Sequence, residues 1–310
     1  MTQQSIVQLR NVTKTIGGKT IINRVSFDVY GGEVFGFLGP NGAGKTTTIR
    51  MIVGLMKLTD GDVLIEGKSI KSDFEGAVKQ VGAIVENPEM YKFLSGYKNL
   101  LHYARMYKGI SREKIDEVVK LVGLENRIND KVKTYSLGMR QRLGIAQSLL
   151  HDPKVLILDE PTNGLDPAGI REIRDYIRRL ARERGMAVIV SSHLLSEMEM
   201  MCDRIGIIQK GKLIDVQSMH DFVSTKGELF NLLVENPQEA RTKVLEHNPS
   251  WTVEVLEQSL VINMTKEDIP ALVRFCVASN IDVYGISPAT KTLEDRFLEV
   301  TAEEGVASNG

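Results

Sequence analysis

Gly39-Pro40-Asn41-Gly42-Ala43-Gly44-Lys45-Thr46 fits the pattern G-x-x-x-x-G-K-[ST]. Each residue type in it has a task in gripping a polyphosphate. The glycines let backbone N–H groups turn inward around a phosphate, and the start of a following helix adds partial positive charge. Lys45 brings a point cation to the β- and γ-phosphate oxygens. The Thr46 hydroxyl completes the coordination of a magnesium ion, with Thr47 beside it. A chance match is on the order of one per hundred chains of this length. Acid groups come from Asp159 and Glu160, which close the apolar run Val155-Leu156-Ile157-Leu158. Neighbouring side chains at a strand end point in different directions. One carboxylate can therefore serve the metal while the other faces the attacking water, which assigns Asp159 to Mg2+ and Glu160 to the general base. A third group lies between them in the chain, where Ser136 and Gly138 open a helix. There a hydroxyl and free N–H groups are offered to an anion. The chemistry these residues imply is hydrolysis of ATP with Mg2+.

The elements that must position them follow from hydrophobic pattern. Ile6 to Val12 and Ile21 to Tyr30 alternate as strands around Gly17-Gly18. Val34 to Leu38 is apolar throughout, as a strand covered on both faces would be, and it runs into the glycine loop. A helix is expected from Lys45 to about Met56, with strands at Asp62 to Glu66 and Val81 to Val85. Helical periodicity marks Gly96 to Tyr107, Arg112 to Val122 and Ser136 to Leu150. Strand-helix alternation then returns: Val155 to Leu158, Ala168 to Glu183, Ala187 to Val190, Leu194 to Cys202 and Arg204 to Ile208. The expectation is an α/β core with an antiparallel β subdomain and an inserted helical subdomain at about 87–150, together spanning 1–217. Residues 218–304 read β-α-β-β-α-β, a ferredoxin-like α+β domain. Its elements are Leu229 to Glu235, Pro237 to His247, a hairpin around Glu257-Gln258-Ser259, Thr265 to Ser279 and Ile281 to Ile286. Thr265 is a candidate cap and Trp251 a candidate core residue; a helix from Leu293 to about Ala302 and a frayed tail at 305–310 are expected beyond.

Composition narrows the classes. In 310 residues, a net charge of −1 gives no basic excess of the kind a nucleic-acid groove needs. Cys202 and Cys276 are too far apart in sequence for a metal knuckle, and they suit a reducing compartment. The first residues lack a basic stretch followed by an apolar one, so no signal peptide is expected. The longest apolar runs have the length of buried strands, far short of a bilayer span.

Tyr135-Ser136-Leu137-Gly138-Met139-Arg140-Gln141-Arg142, in order with the other motifs, resembles the ABC transporter ATPase family, whose signature typically reads Leu-Ser-Gly-Gly-Gln. The resemblance runs from about Ile6 to Asp215. It implies that Asn163-Gly164-Leu165-Asp166-Pro167 is the D-loop, with Asp166 at its end, and that His193 in Ser191-Ser192-His193 contacts the γ-phosphate. It also implies a head-to-tail dimer, each ATP lying between one copy's phosphate loop and the other's Ser136 and Gly138. A separately encoded membrane permease and a place on the cytoplasmic membrane face follow as well. Three departures stand out. Ile16 occupies the position of the ring that stacks on adenine, Glu86 replaces a glutamine near magnesium, and Leu137 and Met139 alter the signature. Glu86-Asn87-Pro88, the altered signature, the added domain and Thr292-Leu293-Glu294-Asp295 resemble the bacterial branch that exports peptide antibiotics and drugs. Other readings stay open: a soluble ABC ATPase uncoupled from transport, a sodium-efflux subunit, or a nucleotide sensor without turnover.

Overall fold

The computed structural model describes residues 5–223 and 229–288. The chain divides into two compact units, residues 1–219 and 220–310. The first opens on a hairpin, β1 (Ser5–Ile16) and β2 (Lys19–Tyr30), turning at Gly17-Gly18. Val7, Leu9 and Val12 of β1 are fully buried while their neighbours are not, which is the alternation read from the sequence. The hairpin joins β4 (Asp60–Ile65) and β5 (Lys68–Ser69) in a sheet of order β2-β1-β4-β5.

The second sheet carries the chemistry. It combines β3 (Val34–Leu38), β6 (Val81–Ile84), β7 (Val155–Asp159), β8 (Ala187–Ser192), β9 (Arg204–Gln209) and β10 (Lys212–Ser218) in the order β10-β9-β3-β8-β7-β6. All pairs are parallel except β9 with the edge strand β10. Every residue of β3, β7 and β8 is buried, so their unbroken apolar runs reflect cover on both faces. Between the strands run α1 (Lys45–Ile52), α2 (Phe74–Val78), α6 (Pro167–Arg184) and α7 (Leu195–Met201). The inserted helical part, between β6 and β7, consists of α3 (Gly96–Ala104), α4 (Arg112–Leu121) and α5 (Leu137–Ser148). Ser95, Ser111 and Ser136 cap these three helices through their side chains.

Several boundaries differ from expectation. Helix α1 ends at Ile52, short of Met56, because Gly54 takes φ +75° and turns the chain out. Helix α3 stops at Ala104, after which Met106 and Tyr107 bond to carbonyls three residues back, tightening the end. Elements β5, α2, β10 and α8 (Met219–Val223) carry too short or too weak a pattern to be foreseen.

The second unit contains β11 (Leu229–Val234), α9 (Pro237–His247), β12 (Thr252–Leu256), β13 (Ser259–Asn263), α10 (Ile269–Ala278) and β14 (Val283–Pro288). Its antiparallel sheet has the order β12-β13-β11-β14, the split β-α-β pairing of a ferredoxin-like fold. Thr265 and Asp268 cap each other reciprocally, on a 3-10 turn that precedes the helix proper. Trp251 is in the core with Phe230, Leu232, Leu260, Ile262 and Leu272. The helix expected from Leu293, the Thr292-Leu293-Glu294-Asp295 ending and the 305–310 tail lie outside the described residues. Cys202 and Cys276 are both buried and free, and burial pushes both thiols up and away from reactivity.

Candidate active site

Parallel register brings the chemistry to one edge. In the order β3-β8-β7, Leu38 lies opposite Ser192 and Asp159 opposite Ser191. The glycine loop after β3, the 159–163 segment after β7 and His193 after β8 therefore leave the sheet at one level. The carboxyl edge of a parallel sheet is where such folds bind ligands. A cavity of about 320 Å³ lies there, lined by Ile21, Pro40, Asn41, Gly42, Gly44, Lys45, Thr46, Thr47, Glu160, Asn163 and His193.

The loop is built to approach an anion closely. Gly44 caps α1 with φ 113°, a conformation closed to side chains. A Cβ on Gly39 would stand 2.3 Å from the Ile208 carbonyl oxygen. The first N–H groups of α1 have no partner within their helix and point toward the loop. Lys45 is buried, and its Nζ donates to the Gly39 carbonyl at 2.7 Å and lies 3.4 Å from Glu160 Oε1. Ala43 and Gly39 are buried behind this surface and shape the loop from below.

Ser191 sets the two acids. Its hydroxyl donates to Asp159 Oδ1 at 2.5 Å and accepts the Glu160 N–H at 3.0 Å. Glu160 takes φ +51°, a left-handed conformation costing a glutamate about 1–3 kcal/mol, and the Ser191 contacts hold it there. Asp159, 2% exposed, thus sits below the cavity, while Glu160 turns into it. The second Glu160 oxygen is 2.9 Å from His193 Nδ1. One carboxylate therefore spans a cation and an imidazole.

Other residues expected at the site are placed elsewhere in the chain. Ser136 caps α5, accepting the Met139 N–H at 3.2 Å, and Gly138 follows in its first turn. Neither lines this cavity. Asp166 caps α6 by accepting the Gly169 N–H at 3.0 Å, with Pro167 at the first helical position. Glu86 is 60% exposed, has φ +67° and pairs with Arg50, away from the cavity lining. Ile16 is 51% exposed at the hairpin end and is likewise not on the lining, whereas Ile21 of the same hairpin is. Ile21 and Asn163 are the lining residues that motif reading missed. Asn163 belongs to the expected D-loop segment, in which the resemblance gives a role to Asp166 alone.

Among the described residues, no three His, Cys, Asp or Glu side chains gather as a metal cage. The oxygen donors present, the Thr46 hydroxyl and the Asp159 carboxylate, fit Mg2+ held mainly by substrate phosphates and water. A larger groove of about 530 Å³ lies along α6, lined by six residues of that helix and by Met200 of α7. Arg178 there bonds the Met200 carbonyl at 2.8 Å, and Arg174 pairs with Asp175.

The family model described as "ABC transporter" matches residues 22–163. The chain is 63% identical over 300 residues to the uncharacterized ABC transporter ATP-binding protein YhcH of Bacillus subtilis (strain 168), covering 97% of each. It is 37% identical to the bacitracin transport ATP-binding protein BcrA of Bacillus licheniformis, covering 96% of this chain and 97% of that one. Among solved structures, the ATP-binding cassette MJ0796, a dimer in a post-hydrolysis state bound to ADP and Pi, matches with TM-score 0.61. It is 27% identical and covers 69% of this chain and 98% of its own.

Proposed function

The chain belongs to the ATP-binding subunits of ABC transporters and is an ATPase, and on that premise we propose that it powers a separately encoded permease exporting antimicrobial peptides or lipophilic drugs. Support for the substrate class comes from full-length likeness to a bacitracin transport protein. Among the described residues no helix is long and apolar enough to cross a membrane. The path for substrate would then belong to the partner permease, with this subunit docked at the cytoplasmic face of the membrane.

The observation that carries the catalytic reading is the convergence of Lys45, Glu160 and His193 on the cavity of the phosphate loop. Lys45 and the N–H groups of α1 bind the β- and γ-phosphates of ATP. Glu160 accepts a proton from the water that attacks the γ-phosphorus, and the bond to the ADP oxygen breaks. His193 bridges Glu160 and the γ-phosphate, keeping the carboxylate aimed. Thr46 and Asp159 would hold Mg2+, which would supply charge neutralisation on the phosphates. Ser136 and Gly138 grip the γ-phosphate bound to a second copy, so ATP favours the closed dimer and its hydrolysis lets the copies part. Their absence from this subunit's own cavity supports that reading. The Glu86 to Phe93 segment transmits closure to the permease.

Glu160→Gln tests both halves. Turnover should fall by about 10²–10⁴-fold while ATP still binds, and ATP should now trap a dimer in size-exclusion or light-scattering measurements. Wild-type turnover would remove Glu160 as the base. A variant that stays monomeric at saturating ATP with its permease would remove the shared-nucleotide scheme.

A further inference from the structure

Behind the cavity, a polar contact used by no step above ties the two strand-end segments together. The Thr162 hydroxyl donates to the Glu197 carboxylate, and the two residues are only 3% and 8% exposed. Thr162 is two residues past Glu160 and directly precedes Asn163, which lines the cavity. Glu197 is four residues past His193, in the first turn of α7, whose capping residue Leu194 offers no side-chain hydrogen bond.

A buried carboxylate is unfavourable unless its oxygens are hydrogen-bonded. Leu195, Met198 and Met201 of the same helix are buried apolar residues, so an apolar side chain at 197 would pack with less desolvation. A polar pair gives something apolar packing does not, a single directed distance. Three ties join the ends of β7 and β8 and the segments that follow them. Ser191 holds Asp159 and the Glu160 N–H, His193 meets Glu160, and Glu197 meets Thr162. The Thr162–Glu197 tie is the farthest along both segments in sequence, and a bond there would restrain α7, and His193 ahead of it, relative to the Glu160 segment.

We propose that Thr162 and Glu197 form a positioning clip that keeps Glu160 and His193 in working register during ATP hydrolysis. The clip acts through those residues and so rests on their catalytic reading. It touches neither substrate nor the reacting atoms.

The test uses the full-length chain, with kcat, KM for Mg-ATP, fluorescent-nucleotide affinity and melting temperature measured for each variant. Thr162→Val removes the hydroxyl at equal size and leaves α7 untouched. Glu197→Ala removes the acceptor. Each should lower kcat about tenfold or more with KM and nucleotide affinity nearly unchanged, since misplacement by a fraction of an ångström is felt mainly in the chemical step. Thr162→Ser and Glu197→Gln keep a donor and an acceptor, and should retain kcat within about threefold. The double variant Thr162→Val/Glu197→Ala should be no slower than the worse single, as for two members of one unit. If Glu197 served only as charge at a helix start, Glu197→Gln would lower the melting temperature while Thr162→Val left kcat alone, and the clip would be overturned. Equal losses in Thr162→Val and Thr162→Ser would overturn it as well. Should Thr162→Val not fold, Thr162→Ala against Thr162→Ser supplies the same comparison. Glu160→Gln runs beside them. An active Glu160→Gln would mean the catalytic reading has failed, whereas an inactive one with full kcat in Thr162→Val would mean that only the clip has.

Discussion

Glu160 combines three demands at one residue: a left-handed backbone, a carboxylate between Lys45 and His193, and a place directly after a buried aspartate. The Ser191 hydroxyl meets the first by accepting the Glu160 N–H, and by donating to Asp159 it orients both acids at once. Glu86 presents the opposite case. It is another left-handed glutamate, but it is open to solvent and engaged with Arg50. An exposed ion pair is worth about 0–1 kcal/mol. Glu86→Gln should therefore leave the magnesium dependence of ATPase activity unchanged, as read from rate against free Mg2+. A shifted magnesium optimum would restore the metal role expected from its sequence position.

At the scale of elements, a ring of alternating charges links α4 of the helical insert to the core. Lys114 pairs with Glu117 at 3.1 Å and Asp152 at 2.6 Å, and Arg184 at the end of α6 reaches both acids. The hydrogen bond from Arg184, aided by Lys114, holds the Glu117 carboxyl below its usual range. The unfolded chain then binds more protons as pH falls past the ordinary carboxyl value, so the stability contributed by Glu117 is full above about pH 4.5 and lost below it. The two acids are open to solvent, with Glu117 45% and Asp152 70% exposed, which keeps the effect small. Glu117→Gln should lower the melting temperature by about 1–3 °C at neutral pH, and paired melts should converge as pH drops through the carboxyl range. A gap that stays constant with pH would show that packing, and not charge, joins α4 to the core.

On the scale of the whole molecule, each compact unit has its own hydrophobic core. All the residues lining the nucleotide cavity belong to the first. The described residues of the smaller unit, centred on Phe230, Leu232, Leu260 and Leu272, are not among them. A chain ending after Val223 should therefore fold, bind ATP and keep basal turnover within about threefold of the full chain, since a unit with its own core can fold alone. Steady-state ATPase with and without added transport substrate checks this. Lost basal turnover would make the second unit part of the catalytic assembly, and loss of the substrate response alone would make it a sensor.

Local rules made much of this legible in the residue order. An all-apolar strand running into glycines and a lysine, a second one ending in two acids, and a serine opening a helix are short-range patterns. They marked the glycine turn before α1, the two acids at the end of β7, the Ser136 cap and the α/β alternation, because backbone freedom, strand alternation and helix capping act within a few residues. The ferredoxin-like order was readable for the same reason. What depends on pairing across the chain was not. Strand order sets β8 between β3 and β7, and only that brings His193 to Glu160, Ser191 to both acids and Glu197 to Thr162. The departure of Glu86 toward Arg50, and of the cavity wall from Ile16 to Ile21, likewise came from how distant segments pack. Contacts between residues some thirty positions apart carry no periodic trace in the sequence, so the tertiary fold alone decided them.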